Sequence, residues 1–248
     1  MNRTDIFFLG TGAAEPDAGR DNTAVALRSS AGAVLLDCPG SPMHKLARMN
    51  IPPETLGCVY ISHGHPDHIY GLPSLLHSLE PSGSSPEIIL PEGLLPMARK
   101  LLELFGLEAD FIPASTGMRI LDMKMDFFKT RHTADSHGII INVNGKKIVF
   151  TSDTGPIPEA ASVFRGAEML IHDCLAPSRF SAECEALDKT HTSSLALGKI
   201  AAEASVKKLI PAHFSGRFDF STEEIKTEIR RNFSGKVLIP QDLTALSL

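Results

Sequence analysis

No run of apolar residues in this chain approaches the length needed to cross a bilayer, which excludes a helical membrane span. The opening Met1–Ile6 lacks the apolar region of a signal peptide and runs straight into strand-like sequence, so a soluble, cytoplasmic protein is expected. Also absent are a long Pro/Gly/Ser linker, a block of like charge and an internal repeat. With 248 residues at 43% hydrophobic content, one domain spanning residues 1–248 is the expectation. Cysteine is scarce: Cys38, Cys58, Cys174 and Cys184 show no CxxC spacing and sit mostly in apolar contexts. Buried reduced thiols fit that pattern better than a disulfide or a separate zinc–cysteine site. The formal net charge of −5 argues against non-specific polyanion binding. It leaves a local basic groove open, although Arg99-Lys100, Lys207-Lys208 and Arg230-Arg231 read as solvated faces.

The chain is rich where it matters for chemistry. In His63-Gly64-His65-Pro66-Asp67-His68, three imidazoles and a carboxylate follow the apolar run Cys58–Ser62. Imidazole and carboxylate are the ligands that borderline divalent metals such as zinc prefer. On a strand that is ending, His63 and His65 project from one face because side chains repeat every second residue. Gly64 keeps the backbone permissive and Pro66 starts a new direction. Asp67 and His68 then lie at the mouth of the amphipathic segment Ile69–Leu79, placed to serve a second ion beside the first.

Short strands and helices alternate along the rest. Ile6–Leu9 enters the tight loop Gly10-Thr11-Gly12, and Thr23–Leu27 and Ala33–Leu36 form a plausible hairpin. Helices are predicted at Met43–Met49, Leu94–Phe105, Ser193–Ala204 and Thr222–Arg231, the last opened by Ser221 or Thr222. Strands are predicted at Val59–Ile61, Ile88–Leu90, Arg119–Met123, Asp126–Thr130, Met169–Ile171, Lys208–Ile210 and Val237–Ile239. Asn144-Gly145 between Gly138–Val143 and Lys147–Phe150 is a strong hairpin signal, since both turn residues must accept positive φ. Each half of the chain runs strands before helices. An α/β fold of two mixed sheets packed face to face with helices outside fits that order better than one doubly wound sheet.

A two-metal site needs more than four ligands, and three downstream positions qualify. His132 follows the strand Asp126–Thr130, Asp153 follows Ile148–Phe150, and His213 follows Leu209-Ile210. Each sits just past an apolar strand, where a rigid scaffold delivers side chains into a shared cleft. Taken alone, each His reads as an ordinary partly buried residue; beside the cluster, each reads as a ligand.

The ligand series HxHxDH, His, Asp, His resembles that of the metallo-β-lactamase superfamily, whose fold is an αββα sandwich with a dinuclear site along one edge. Within it, Phe8–Gly12, His63–Pro73, His191–Ser194 and His213-Phe214-Ser215 resemble the ribonuclease Z branch, which trims tRNA 3′ ends. The resemblance implies that His63, His65 and His132 hold one metal, that Asp67, His68 and His213 hold the other, and that Asp153 bridges. Two divalent ions, zinc first and manganese or iron as alternatives, would lower the pKa of a shared water. Asp67 would orient that water or take its proton. The same resemblance assigns the leaving-group proton to Asp173 and His191. Asp173 stands where the family usually has Glu, and its other reading is a cap for the following turn. Asp37, at a strand end beside the cluster, is expected to orient a ligating His.

Two departures bear on substrate. Bacterial ribonuclease Z inserts a long tRNA-gripping arm between the third ligand motif and the bridging Asp, where this chain has only the Asn144-Gly145 hairpin. The Lys- and Arg-containing loop after the glycine turn reads Glu15–Asn22 here, with Arg20 kept, Ala18 at the Lys position and acids around them. The expected activity is therefore hydrolysis of a small phosphodiester. A tRNA 3′-end endonuclease, binding RNA through another surface or across a homodimer, is one alternative. A hydrolase of a thioester, lactone or sulfate is another, and a narrow pocket lined by Tyr70, Phe214 or Phe218 is expected for a small ester.

Overall fold

Apolar residues fill both faces of most strands, which is the pattern of strands covered on both sides. In β1 (Asp5–Gly10), Ile6 and Phe8 point one way and Phe7 and Leu9 the other, and all are buried. The computed structural model, which describes residues 3–248, shows why. Two seven-stranded mixed sheets pack face to face, and helices cover the outer face of each.

The first sheet is built from β1, β2 (Ala24–Ser29), β3 (Gly32–Leu36), β4 (Leu56–Tyr60), β5 (Glu87–Leu90) and β6 (Phe111–Pro113) in spatial order. Strands β1 to β3 are antiparallel, and β3 to β6 are parallel. Its outer face is covered by α1 (Pro42–Arg48), α2 (Pro66–Ile69), α3 (Leu72–Leu79) and α4 (Leu95–Glu103). The second sheet begins with the antiparallel strands β7 (Met118–Ile120), β8 (Met123–Lys129), β9 (His137–Val143) and β10 (Lys146–Phe150). It continues in parallel through β11 (Met169–Asp173), β12 (Lys208–Ala212) and β13 (Lys236–Val237). Over it lie α5 (Ala160–Val163), α6 (Ser194–Glu203) and α7 (Thr222–Arg230). The chain then returns to the first sheet, where β14 (Thr244–Ser247) pairs with β1.

The layer between the sheets is mainly apolar. Tyr60 is fully buried there, and its hydroxyl donates to the His137 carbonyl at 2.8 Å, linking β4 to β9. Ser193 and Ser221 cap α6 and α7 by accepting the Ala196 and Glu224 amides. Cys38, Cys58 and Cys174 are buried free thiols, and Cys184 is half-buried. No helix among the described residues is long and apolar enough to cross a membrane.

Several element bounds differ from those expected. The run Ile69–Leu79 is not one helix: α2 ends at Ile69 and α3 starts at Leu72. Gly71 separates them because a Cβ there would sit 1.9 Å from the Pro39 carbonyl oxygen. That close approach lets the Gly71 amide donate to Cys38 O at 2.8 Å, seating the histidine motif against the end of β3. Arg119–Met123 is not one strand either. Leu121, at φ 55°, turns the chain, and Met123 belongs to β8. The expected strand Val237–Ile239 is reduced to Lys236–Val237, while β6 and β14 were not anticipated. The Asn144-Gly145 turn has φ of 51° and 71°, as a two-residue hairpin of this hand requires, and joins β9 to β10 directly.

Candidate metal centre

Parallel strands bring their carboxyl ends to one edge, where α/β proteins commonly bind ligands. Asp37 follows β3, Ser62 and His63 follow β4, Ser152 and Asp153 follow β10, Asp173 ends β11, and His213 follows β12. His132 arrives from the loop after β8. Asp37, Ser152 and His213 have φ of 59°, 52° and 64°, a left-handed backbone that non-glycine residues hold only where their surroundings impose it. At these strand ends that bend swings the side chain sideways into the edge.

The structure brings the sequence-predicted residues into adjoining clusters, each with its ligand atoms within 4.8 Å of one another. The first is His63, His65, His132 and Asp153. His65 Nδ1 lies 3.0 Å from both His63 Nε2 and His132 Nε2. Asp153 Oδ2 stands 3.8 Å from His63 Nε2 and 3.6 Å from His132 Nε2. The second is Asp67, His68, Asp153 and His213. Here Asp153 Oδ1 lies 3.3 Å from His68 Nε2 and 3.1 Å from His213 Nε2, while Asp67 Oδ2 is 3.3 Å and 3.7 Å from the same nitrogens. Asp153 thus turns one oxygen to each cluster.

The donor set fits divalent ions on its own chemistry. His68 Nε2, His213 Nε2 and Asp153 Oδ1 are buried and have no hydrogen-bond partner among the described residues, a costly state that a shared cation relieves. Imidazole nitrogens and carboxylate oxygens in sets of four match the preference of zinc. The ring tautomers agree. His132 Nδ1 donates to the Thr190 carbonyl at 3.0 Å and His68 Nδ1 to Asp37 at 2.8 Å, which leaves each Nε2 as a lone pair toward the centre.

Electrostatics point the same way. Burial pushes His63 and His132 below the usual imidazole range, keeping both rings neutral near pH 7. Burial works against charge on Asp153 and Asp67, but His213 and His68 outweigh it and hold both carboxyls well below their usual range. Burial also opposes charge on His68, and there Asp153 and Asp37 win, raising it well above the imidazole range. A proton on His68 Nε2 and a cation would compete for Asp153, so an ion bound there would displace that proton.

Asp37 is completely buried and saturated. It accepts the Ser62 amide at 2.8 Å, the Ser62 hydroxyl at 3.0 Å, the Ser152 hydroxyl at 2.9 Å and His68 Nδ1 at 2.8 Å. Sequence reading singled out Asp37 but missed Ser62 and Ser152. Ser62 also lies 3.0 Å from His63 Nδ1, so the pair links one cluster to the other. Their only signal is position, a serine directly before a ligand at a strand end.

A third group lies alongside. Asp173 Oδ2 accepts His191 Nδ1 at 2.7 Å and the Thr154 amide at 3.0 Å, and Asp173 Oδ1 is 4.0 Å from His213 Nδ1. Asp173 does not cap the following turn; it joins the second cluster to His191. The His191 ring stacks on His213 with centroids 5.3 Å apart. Burial disfavours its charge, but Asp173 more than offsets this and lifts His191 to about 9.

His65, Asp67, His132, Asp153, His191 and His213 open into a cavity of about 260 Å³ walled also by Glu15, Leu175, Cys184, Arg217 and Phe218. Of the aromatics expected around it, Phe218 alone lines it. Phe214 is buried beneath Arg20, and Tyr70 faces a separate apolar hollow with Leu104 and Phe105.

A family model described as Anti-Pycsar protein Apyc1 matches residues 4–195, most of the chain. The chain belongs to that family. It lies on the ribonuclease Z-like branch of the metallo-β-lactamase superfamily and is a metal-dependent hydrolase. Ribonuclease Z of Saccharolobus islandicus strain L.S.2.15 is 27% identical over 98% of this chain and 99% of that protein. Their alignment runs over 293 positions against the 248 residues here, so the relative carries additional segments. Among solved structures, the metallo-β-lactamase fold protein YhfI from Bacillus subtilis is similar at a TM-score of 0.86 and 20% identity, each chain covered in full. The short form of human tRNase Z superposes at 0.79 with 22% identity over 98% of each chain. A diphosphatase of the PhnP family superposes at 0.78 with 17% identity, covering 98% of this chain and 97% of that one.

Proposed function

We propose that the chain is a single-domain, dinuclear metal-dependent phosphodiesterase acting on small phosphodiesters. The observation that carries this is the shared Asp153, whose two oxygens serve adjoining four-residue clusters. His63, His65 and His132 would hold one ion and Asp67, His68 and His213 the other, with zinc favoured by the imidazole count and manganese or iron as alternatives. Such ions supply an acidified water and neutralise charge that builds on a phosphodiester's oxygens.

The chain's own residues do the rest. Asp67 stays ionised at the centre's edge, placed to orient the attacking water. His191 carries a proton at neutral pH and lines the cavity, where it can protonate the departing oxygen. Asp173 holds that ring by Nδ1, which leaves Nε2 to deliver the proton. Arg217 brings a guanidinium to the cavity wall, suited to a phosphate oxygen.

The small-substrate reading is supported by what surrounds the centre. A cavity of about 260 Å³ accommodates one phosphodiester and its near substituents, and Glu15 on its wall repels further phosphates. Arg20, the residue kept from the branch's Lys- and Arg-containing loop, lies over the Phe214 ring and donates to the Pro240 carbonyl. The two-residue turn between β9 and β10 occupies the place of an arm. The similarity to ribonuclease Z favours a second reading, a tRNA 3′-end endonuclease. Purified metal-loaded protein assayed in parallel on an activated phosphodiester, a thioester, a lactone and precursor tRNA tests these. We expect turnover of the phosphodiester, and turnover of the thioester or lactone alone would overturn the proposal.

His191→Ala is expected to slow phosphodiesters with poor leaving groups by about 10²–10⁴-fold while sparing nitrophenyl esters. A nitrophenolate departs as an anion and needs no proton. The acid form of His191 is lost as pH rises through about 9, so the wild type should show an alkaline fall near that pH on poor leaving groups, and the variant should not. Equal losses on both substrate types would show that His191 positions the site.

A further inference from the structure

Arg20 is built into the fold in a way that phosphate binding does not require. Its guanidinium lies 4.6 Å above the Phe214 ring and donates to the Thr11 hydroxyl and to the Pro240 carbonyl, the latter at 3.0 Å. Asp242 completes the cluster by accepting the Thr11 hydroxyl at 2.7 Å and the Asp21 amide at 2.6 Å. Pro240 and Asp242 belong to the segment that carries the chain from β13 back to the first sheet. Leu243 then donates to Phe8 O at 2.7 Å as β14 joins β1.

This cluster meets the centre through His213. The Thr11 carbonyl accepts both the His213 amide at 2.9 Å and the Phe214 amide at 3.1 Å, and Phe214 O accepts the Ala13 amide at 2.9 Å. Those bonds impose the left-handed φ of 64° on His213. Arg20 lies over the Phe214 ring while holding the Thr11 side chain, so it braces both partners of those bonds. Among the described residues neither ring nitrogen of His213 has a hydrogen-bond partner, so its backbone carries more of its aim than in His68 or His132, whose Nδ1 atoms are held.

We propose that Arg20, clamped by the Pro240–Asp242 return, is the positioning residue for His213, and that the C-terminal segment thereby sets the affinity of the second ion. This rests on the dinuclear reading above. Partners that orient a ligand typically contribute about 10–100-fold in metal affinity. The effect here is selective: among the described residues, His63, His65 and His132 make no hydrogen bond or ring contact with Arg20, Thr11 or Phe214.

The test is a chelator titration of metal-loaded protein, with bound ions counted by elemental analysis at each step. Wild type, Arg20→Ala, Arg20→Lys and Phe214→Leu are compared. In Arg20→Ala and Phe214→Leu, one ion should leave at about tenfold lower chelator concentration, with the other retained as in wild type. Arg20→Lys keeps a cation over the ring and should recover part of the loss. Phe214→Leu preserves an apolar side chain and carries the test if Arg20→Ala does not fold. Equal weakening of both ions would reduce the cluster to general stability, and unchanged retention would remove it from the centre; either overturns the proposal. A wild type that binds no ions refutes the dinuclear reading itself.

Discussion

Asp153→Ala is expected to strip the centre of its ions and to lower turnover by on the order of 10⁴-fold or more, the scale seen when one member of a catalytic unit is removed. Asp153 is the residue common to both clusters, with Oδ2 facing His63 and His132 and Oδ1 facing His68 and His213. Its loss removes one of the negative charges at a buried edge where several imidazoles converge, and the one residue that would serve both ions. Asp67→Ala removes one ligand from one cluster and should cost less metal. Elemental analysis and kcat/KM of the purified variant check the point. Retention of both ions, or turnover within about tenfold of wild type, would rule out a bridging role.

The second large effect concerns RNA. Full-length precursor tRNA should be cleaved weakly or not at all at physiological salt, while a small phosphodiester is turned over at similar rates from low to physiological salt. RNA affinity comes mainly from Lys and Arg neutralising phosphates with release of counterions, and each contact contributes about 0.7–0.9 to the slope of log affinity against log salt. Here the loop that would supply such contacts offers Glu15, Asp17 and Asp21, and its one arginine lies over Phe214. Asp21 is itself engaged, 3.0 Å from the buried ammonium of Lys45. Side-by-side assays at low and physiological salt decide the matter. Single cleavage at a tRNA 3′ end that persists at physiological salt would overturn the small-substrate reading and favour the endonuclease.

Much of this protein was legible locally. Alternating and continuous apolar runs marked most strands, Ser193 and Ser221 marked helix starts, and Asn144-Gly145 marked a hairpin, because each depends on residues adjacent in the chain. The histidine cluster declared metal chemistry for the same reason: its spacing already puts several ligand types within one turn of backbone. Positions just past strands then marked His132, Asp153 and His213 as candidates.

Other features depend on segments far apart in sequence, and no local pattern carries them. The break at Gly71 exists because the Pro39 carbonyl passes beside it, and the turn at Leu121 because that side chain packs over Gly32 and Gly57. Ser62 and Ser152 acquire their role from meeting Asp37 across the sandwich edge. Tyr70 was placed near the centre by its proximity in sequence, yet one helical step carries it to another face. Arg20 stood out in sequence only as the residue kept in a loop that had lost its Lys; the return of the C-terminal strand holds it over Phe214. By itself the sequence determined the fold class and the chemistry of the candidate donor groups, since periodicity and residue type are properties of neighbouring residues. Only the tertiary structure decided which oxygen of Asp153 faces which imidazoles, how the strand ends bend to aim them and where Arg20 points. Those depend on register and packing between elements that meet only when the two sheets close on each other.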